Sequence, residues 1–530
     1  MAPPQPAGRP NIVLIMCDDM GFSDIGCYGS EISTPNLDRL AGGGLAFRQM
    51  YNCARCCPTR ASIMTGLYPH RAGVGQMVND RGRPAYQGYL NDQCVTIAEG
   101  LKSAGYRTYM SGKWHCGGAY NVQQPETWSP GDARHPTPVQ RGFDEHFGTL
   151  CGAGSYFFPP TLARNDRFIT PDSMDFHLTD AISDEAVAMI GRAADADDPF
   201  FLYVAYTAPH WPLHSWESYI EKYRGKYAAG WDAVRTARHE TLKGSGILDP
   251  KWPIGPRDEQ APPWEDVKNK DYQDALMAVY AAMIDQMDDG IGRILAALDR
   301  RGLTDNTLVL FLSDNGGCHE YIRHGSDWAD RLKRPALDGR EVTVGDAPGV
   351  MPGDRYTYQS YNRPWANASN TPFRMFKHWV HEGGIATPLI AHWPGVIQPG
   401  TQTDALAHVI DIMPTCLSAA GAEYPEARGD KPVKPLDGES LLPVLQGRDW
   451  SRQKDLYWEH EGNRAVRQGR WKLVSQFEKG NWELYDMVED RTELNDLAAV
   501  KDDKVRELSA AYDRWAGYAE VEPWEIVRKG

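Results

Sequence analysis

Short apolar runs alternate along the chain with longer segments of helical period. A helix is predicted over Asp271–Arg300, where apolar residues recur with a period near 3.6 and form one stripe. The apolar runs are Ile12–Cys17, Tyr106–Met110, Phe200–Tyr206, Leu308–Leu312 and Leu389–Ala391. Near-continuous apolar strands that alternate with helices are typical of a sheet covered on both faces. The pattern therefore predicts an α/β fold with a large mixed, mostly parallel sheet flanked by helices.

The pattern changes past about residue 440, where short strands are separated by turns. The predicted elements there are strands at Leu456–His460, Ala465–Arg467, Trp471–Ser475 and Trp482–Tyr485, and a helix at about Asp502–Tyr518. Such a series is typical of an antiparallel meander. Because 530 residues exceed one compact core, we predict two domains, over residues 1–440 and 441–530. The second is a small α+β domain with a four-stranded antiparallel sheet.

Two polar segments interrupt the alternation in the large domain. Residues 211–271 are rich in charge, Trp and Pro, and residues 316–371 are rich in Gly, Pro and Asp. Polar segments of roughly 50 residues inside a compact domain are more often functional loops than plain connections. We expect both segments to wall a binding pocket.

Polar side chains follow four of the predicted strands, at the point where each strand ends. In chain order they are Asp18 and Asp19, Lys113 and His115, His210, and Asp314 and Asn315. In folds of this class, ligands bind beyond the carboxyl ends of the strands. We therefore expect these residues to form a single site.

The oxygen-bearing residues of this set suit a hard cation. Three carboxylates and one amide carbonyl favour Ca²⁺, or Mg²⁺ with tighter geometry. Zinc is disfavoured because no Cys/His ligand set accompanies them. Taken alone, Asp18-Asp19 fits a solvated turn that caps a helix equally well. The second pair, Asp314-Asn315, shifts the balance toward a metal site.

The Lys and His residues fit anion chemistry, and each also has a plainer interpretation. Lys113 and His115 fall on one face of an extended segment, as a surface Lys beside a structural His also would. His210 lies between two prolines, either as a proton donor to a leaving group or as a turn histidine. Lys377 precedes a Gly pair and is by default a surface residue.

Three cysteines lie close together, and two of them open the run Cys56-Cys57-Pro58-Thr59-Arg60. With Cys53, they are consistent with a metal knuckle or a redox Cys-x-x-Cys pair. Redox chemistry gives no role to Pro58 or Arg60, so we disfavour it. The ten cysteines show no paired spacing of the kind found in structural zinc sites.

Net charge and hydropathy exclude some functions. A net charge of −15 argues against binding nucleic acid or an anionic membrane, so an anionic substrate would need local cations. No apolar run reaches the ~20 residues that span a bilayer. The first six residues lack the basic-then-apolar pattern of a signal peptide. We expect a cytoplasmic protein from the chain as given, or a periplasmic one if a signal peptide has been removed.

The Cys56 run resembles the Cys-x-Pro-x-Arg signature of the type I sulfatases. Further matching motifs occur in order: Asp18-Asp19, Gly112-Lys113-Trp114-His115, Ala208-Pro209-His210, Ser313-Asp314-Asn315-Gly316, Glu382-Gly383-Gly384, Trp471-Lys472-Leu473 and Glu483-Leu484-Tyr485-Asp486. The chain thus resembles, nearly end to end, a type I sulfatase of the alkaline phosphatase superfamily, and most closely the bacterial arylsulfatases.

The resemblance implies hydrolysis of sulfate esters (EC 3.1.6.-) by a formylglycine that a maturation enzyme makes from Cys56. The hydrated aldehyde would attack sulfur and release an alcohol or phenol. The implied cation, usually Ca²⁺, would be bound by Asp18, Asp19, Asp314, Asn315 and residue 56. The other implied roles are Arg60 at the formylglycine hydroxyls, Lys113 and Lys377 at the sulfate oxygens, His210 at the leaving oxygen and His115 as the proton acceptor.

Two other functions remain open beside this one. A phosphonate monoester or phosphodiester hydrolase of the same superfamily shares the signature, but tends to pair the late Asp with His and to lack the Gly-Lys-Trp-His motif. An unmatured, non-catalytic sulfatase-like binding protein is expected to have lost a key residue, and none is missing. The partner is a small-molecule or saccharide sulfate ester, with aryl, steroid, alkyl and saccharide sulfates all open.

Overall fold

The computed structural model describes residues 8–196, 198–347 and 349–529, so the first six residues, on which the signal-peptide expectation rests, lie outside the described part. Its helices are α1 Pro35–Gly42, α2 Cys56–Thr65, α3 Ile97–Ser103, α4 Leu178–Ala196, α5 Glu217–Ile220, α6 Trp231–Gly244, α7 Lys270–Arg300, α8 Asp327–Leu332, α9 Asn362–Ser369, α10 Glu382–Ile385, α11 Ile412–Ala420, α12 Leu442–Leu445, α13 Asp502–Ala519 and α14 Trp524–Val527.

The strands fall into one large sheet, one C-terminal sheet and two short pairs. They are β1 Asn11–Cys17, β2 Leu45–Tyr51, β3 Arg107–Gly112, β4 Glu145–Thr149, β5 Leu162–Arg164, β6 Arg167–Phe168, β7 Phe200–Ala205, β8 Thr307–Ser313, β9 Thr343–Val344, β10 Thr357–Tyr358, β11 Ala386–His392, β12 Thr401–Thr403, β13 Ala407–His408, β14 Ala427–Arg428, β15 Lys431–Pro432, β16 Leu456–His460, β17 Asn463–Gln468, β18 Trp471–Ser475 and β19 Glu483–Asp486.

The large sheet is 11-stranded, in the order β12-β2-β11-β8-β1-β7-β3-β4-β5-β6, with β13 beside β2. The strands β8, β1, β7, β3 and β4 run parallel, whereas β11 is antiparallel to both β8 and β2. The five apolar runs correspond to β1, β3, β7, β8 and β11. The predicted mixed, mostly parallel sheet is confirmed.

Helices cover both faces of this sheet, as the side chains of β1 show. Val13 and Ile15 point into the core beneath α4 and α7, whereas Leu14 and Met16 point into the core beneath α2, α3 and α11. Successive side chains of a strand point to opposite faces. A strand between two cores therefore needs apolar residues at every position, which is why the run appears continuous in the sequence.

Helix α7 matches its predicted bounds to within one residue and its apolar stripe is buried, but along about half of its length the opposite side is buried as well. From Asp274 to Asp288 every side chain is buried. The face of α7 that points away from the sheet is covered by the two polar segments, residues 211–271 and 316–371. Tyr361, for example, stacks on Tyr280 with ring centroids 4.1 Å apart. These segments also contain helices α5, α6, α8 and α9, so they are folded walls rather than loops.

The C-terminal sheet is antiparallel in the order β16-β17-β18-β19, and α13 packs on it. The predicted four-stranded sheet is thus confirmed. Its side chains Trp458 and Val474 belong to the same apolar core as α7. The indole Nε1 of Trp458 also donates a hydrogen bond of 2.7 Å to the carbonyl of Asn52, just before α2. The boundary at residue 440 stays a prediction. Each helix in the described ranges is too short or too polar to cross a bilayer.

Candidate active site

Helix α2 begins at Cys56 and is buried along its whole length. Arg55 is extended, with φ −150° and ψ 149°, and the chain turns into the helix at the next residue. Upstream, the hydroxyl of Thr59 accepts a hydrogen bond of 3.0 Å from the Cys53 amide. Cys56 therefore lies at a helix N-terminus, where the free amides and the helix dipole favour negative charge.

The four oxygen-bearing residues meet at the carboxyl ends of two neighbouring strands. Strands β1 and β8 run parallel with Cys17 opposite Ser313, so the next residues of each strand lie side by side. The amide of Asp19 donates to Oδ1 of Asp314 at 3.2 Å, and Nδ2 of Asn315 donates to Oδ1 of Asp19 at 2.7 Å. The structure brings together Asp18, Asp19, Asp314 and Asn315, as expected.

Each carboxylate of this group contacts at least one buried cation. The Lys113 ammonium donates to Asp18, and the Lys377 ammonium lies 2.8 Å from Oδ1 of Asp19. Nη2 of Arg60 donates to Oδ2 of Asp314 at 2.8 Å. These side chains are at most 2% exposed. Buried charges of opposite sign thus face each other in pairs, which limits the cost of desolvating them.

Two buried oxygens of these four residues have no hydrogen-bond partner within the described part of the chain. They are Oδ1 of Asp18 and Oδ1 of Asn315. An unsatisfied buried polar atom costs about 1–3 kcal/mol, so such atoms call for a ligand. Burial and the neighbouring charge of Asp18 raise the pKa of Asp314 well above its usual range, despite Arg60. Free oxygens beside three carboxylates fit a hard divalent cation here.

His115 follows β3 and lies against the start of α2. Its ring nitrogens are 3.3 and 3.4 Å from the Cys57 sulfur, which is 3.9 Å from that of Cys56. Burial lowers the pKa of His115 to about 4. The imidazole is therefore neutral at neutral pH and able to accept a proton. A hydrogen bond from Cys57, together with Lys113 and His115, lowers the pKa of Cys56 well below the usual thiol range.

His210 follows β7 and reaches the opposite side of the carboxylate group. Its Nδ1 lies 2.6 Å from the carbonyl of Trp211, to which it donates. Its Nε2 is 3.3 Å from the Lys377 ammonium and 3.3 Å from Oδ2 of Asp19. Burial lowers the pKa of His210, despite the charge of Asp19. All the predicted site residues thus converge, on one side near Cys56 and on the other near Lys377.

The redox or metal interpretation of the cysteine trio was wrong for Cys53. Its sulfur lies 3.4 Å from the Ser62 hydroxyl and 4.0 Å from Nε2 of His408, away from the other two. Burial raises the pKa of Cys53 to about 12, so the thiol is protonated at neutral pH.

Two residues beside the site escaped the sequence analysis, Arg55 and Glu320, which pair across 3.0 Å. Cys57, which we considered only as a redox or metal ligand, touches His115. Glu320 lies inside a polar segment, where a carboxylate cannot be recognised from the sequence as part of a site. Only its distance of five positions from Asn315 could have indicated that it lies near the site.

Comparisons with known proteins agree with this arrangement. A family model described as Sulfatase matches residues 10–422, and one described as N-sulphoglucosamine sulphohydrolase, C-terminal, matches residues 373–514. The chain is 33% identical to an uncharacterized sulfatase of Schizosaccharomyces pombe, over 94% of this chain and 92% of that protein. It is 32% identical to an arylsulfatase of Klebsiella aerogenes, over 84% of this chain and 94% of that protein.

Solved structures share the fold. The structure of Ps i-CgsB in complex with k-i-k-neocarrahexaose is similar, with a TM-score of 0.67 and 25% identity, over 96% of this chain and 93% of that chain. The family match covers most of the chain, including every residue of the site around Cys56. The chain therefore belongs to the sulfatase family, as a type I sulfatase of the alkaline phosphatase superfamily, and is a sulfuric ester hydrolase.

Proposed function

We propose that a maturation enzyme oxidises Cys56 to formylglycine and that the hydrated aldehyde is the nucleophile for sulfate esters. The observation that carries the proposal is the position of Cys56 at the first turn of α2, between the neutral imidazole of His115 and the cations Lys113 and Arg60. A nucleophile needs a proton acceptor and nearby positive charge. Both are in place at residue 56.

We propose that Asp18, Asp19, Asp314 and Asn315, with residue 56, hold one divalent cation. Ca²⁺ suits the all-oxygen set best, and Mg²⁺ is the second candidate. The cation would supply positive charge for the sulfate oxygens and for the nucleophile. The unpartnered oxygens of Asp18 and Asn315 support this assignment.

The side chains around this position divide the remaining work. Lys113 and Lys377 neutralise sulfate oxygens, since both ammonium groups are buried beside the carboxylate group. His210 Nε2 lies 3.3 Å from the Lys377 ammonium, and the pair lies at the leaving oxygen, where Lys377 supplies the proton directly or through Nε2. His115, neutral because it is buried, accepts the proton of the residue-56 hydroxyl. Arg60 anchors Asp314 and the Lys113 carbonyl, to which it donates at 3.0 Å.

The substrate is a small-molecule or saccharide sulfate ester. The Klebsiella aerogenes relative is named an arylsulfatase, and Ps i-CgsB was solved in complex with k-i-k-neocarrahexaose. Cleavage of phosphonate monoesters is the second candidate. Lys113 and His115 both lie within the site, and Asn315 follows Asp314, which favours sulfate monoesters.

Mass spectrometry of the peptide that contains residue 56 tests the nucleophile. Protein produced with a formylglycine-generating enzyme should carry a residue about 18 Da lighter than Cys. Turnover of 4-nitrophenyl sulfate should scale with the converted fraction, and Cys56→Ala should have none. Full activity with unmodified Cys56 would contradict the proposal. A higher kcat/KM for a phenyl phosphonate monoester would favour the second candidate.

A further inference from the structure

A cavity of about 660 Å³ lies beside the active site and is lined by both polar segments. Glu320 lines it and connects it to the site. Its Oε2 accepts a hydrogen bond of 2.9 Å from Nε1 of Trp211, the residue after His210. Trp211 also packs edge-on against Trp328 of the cavity wall, with ring centroids 5.6 Å apart. Glu320 and Trp211 thus connect the cavity to His210, which we place at the leaving oxygen, so the cavity is the candidate position for the group that carries the sulfate.

Glu320 keeps its negative charge in this position. Its side chain is 17% exposed, and Oε1 lies 3.0 Å from Nη2 of Arg55. Burial alone would raise the pKa of Glu320, but the charges of Lys377 and Arg55 hold it well below its usual range. An ionised carboxylate is therefore fixed at the boundary between the sulfate-binding residues and the cavity.

The cavity offers no free cation to balance a second anionic group. Among the described residues that line it, Arg363 is the single Lys or Arg, and its Nη1 lies 3.3 Å from Oδ2 of Asp258. The same guanidinium lies over the Phe376 ring, 5.1 Å from its centroid. Burial lowers the pKa of His319 to about 3, so this lining residue is neutral. The rest of the lining is mainly aromatic, amide and apolar.

We propose that Glu320 restricts the enzyme to sulfate monoesters whose leaving group is uncharged or cationic. A leaving group that carries a further carboxylate or sulfate would be repelled by the ionised Glu320. The cavity has no free cation that could offset this repulsion. Aromatic faces and amides suit a neutral sugar or an aryl ring, and an ammonium group gains an ion pair with Glu320. This inference rests on the proposed function and narrows its substrate class.

Three aryl sulfates of matched reactivity test the proposal. They are 4-nitrophenyl sulfates with a hydroxymethyl, an aminomethyl or a carboxymethyl substituent on the ring. The methylene group keeps the leaving-group pKa nearly constant while the charge changes. For the matured, metal-loaded enzyme, kcat/KM should be highest for the aminomethyl ester and lowest for the carboxymethyl ester, with roughly tenfold or more between them.

Substitutions at position 320 test whether Glu320 causes the difference in kcat/KM. Glu320→Gln removes the charge and keeps an oxygen that accepts from Trp211. The spread, which is the ratio of the highest to the lowest kcat/KM among the three esters, should fall to within about threefold, mainly because kcat/KM for the carboxymethyl ester rises. Glu320→Asp keeps the charge and should keep the spread. The control is Glu461→Gln, since Glu461 is another carboxylate whose charge acts on Arg55 but does not line the cavity. It should leave the spread unchanged.

The outcomes separate this inference from the proposed function. If the matured enzyme hydrolyses none of the three esters, the proposed function fails. If it hydrolyses all three with equal kcat/KM, or prefers the carboxymethyl ester, the inference fails and the function stands. A spread that survives in Glu320→Gln overturns the assignment to Glu320. Thermal unfolding of each variant, with the parent 4-nitrophenyl sulfate as reference, shows that the protein is folded.

Discussion

Two clusters of buried charged residues can be compared in this molecule, and they differ in how many of their side-chain oxygens accept a hydrogen bond. One is the active-site group around Asp18 and Asp314. The other joins the large sheet to the C-terminal sheet, where Glu382 accepts hydrogen bonds of 2.8 Å from Lys472 and 3.0 Å from Arg491. Both oxygens of Glu382 are bonded, and Oε2 also accepts from the Tyr51 hydroxyl at 2.9 Å.

The carboxyl pKa is depressed in the Glu382 cluster, whereas the pKa values at the active site are split. Burial would raise the pKa of Glu382, but Lys472 and Arg491 lower it to about 2. At the active site burial would raise the pKa of Asp18, but Lys113, His210 and Arg60 lower it to about 2, while burial and Asp18 raise the pKa of Asp314. Both oxygens of Glu382 contact cations, so this cluster is balanced and acts as a structural joint. The active-site cluster is unbalanced, because Oδ1 of Asp18 and Oδ1 of Asn315 have no partner within the described part of the chain, and it is therefore suited to bind a cation. Free oxygens on neighbouring residues, rather than buried charge alone, distinguish the candidate site from the joint.

The largest expected effect comes from the unbalanced cluster. Asp18→Asn removes a cation ligand and the partner of Lys113, so sulfatase activity should fall by about 10³-fold, in line with the several kcal/mol that a bound metal contributes. Because Lys113 is left buried without its carboxylate, the free energy of unfolding should also fall, by about 3 kcal/mol. Initial rates with 4-nitrophenyl sulfate and circular dichroism measure both. Retention of more than a tenth of the activity would contradict the metal assignment.

The matched change in the balanced cluster should lower stability and leave activity nearly unchanged. Glu382→Gln leaves Lys472 and Arg491 buried without their carboxylate, which should cost about 3 kcal/mol of unfolding free energy. The kcat per formylglycine should stay within about twofold, since Glu382 bonds to the C-terminal sheet and not to the site. Denaturant unfolding and active-site titration report the two quantities. Unchanged stability would show that the joint is not structural.

Cation addition should separate the clusters further. At 100 times its Kd, Ca²⁺ should stabilise the folded protein by about 2.7 kcal/mol. Glu382→Gln should show the same increment on a lower baseline, whereas Asp18→Asn should show none. Thermal unfolding at a series of Ca²⁺ concentrations, after chelation and dialysis, gives these increments. An equal response of all three proteins would place the cation elsewhere.

The smallest effect concerns acid. Because the folded-state pKa of Glu382 is depressed to about 2, its contribution to stability is complete above the unfolded-state pKa near 4.5 and is lost as the pH falls through 2. Between pH 7 and pH 3, about 2 kcal/mol of the difference between wild type and Glu382→Gln should disappear. Urea unfolding at both pH values measures this loss. A difference that stays constant would assign the acid sensitivity to other groups.

The ends of the strands were predictable, and so was the set of residues that meets there. Asp18, Lys113, His210 and Asp314 each follow an apolar run, and parallel strands bring their carboxyl ends together. The partners within the site were not predictable. The pairing of Lys113 with Asp18 and of Lys377 with Asp19 depends on side-chain directions that periodicity does not contain.

The balanced cluster shows the same limit. The motifs around Glu382 and Lys472 were both recognised, yet their ion pair was not, because 90 residues separate them. The burial of the outer side of α7 was missed for a related reason. The segments that bury its outer face lie far away in the sequence, as Tyr361 does from Tyr280.

The burial of α2 has a consequence for the order of events in the cell. Cys56 is 2% exposed, and all ten residues of its helix are buried in the finished fold. Under the proposed maturation, the oxidising enzyme would need access to a side chain that the native state buries. Modification would then compete kinetically with folding, so a chain that folds first would stay unmodified and inactive, and slower folding would raise the active yield.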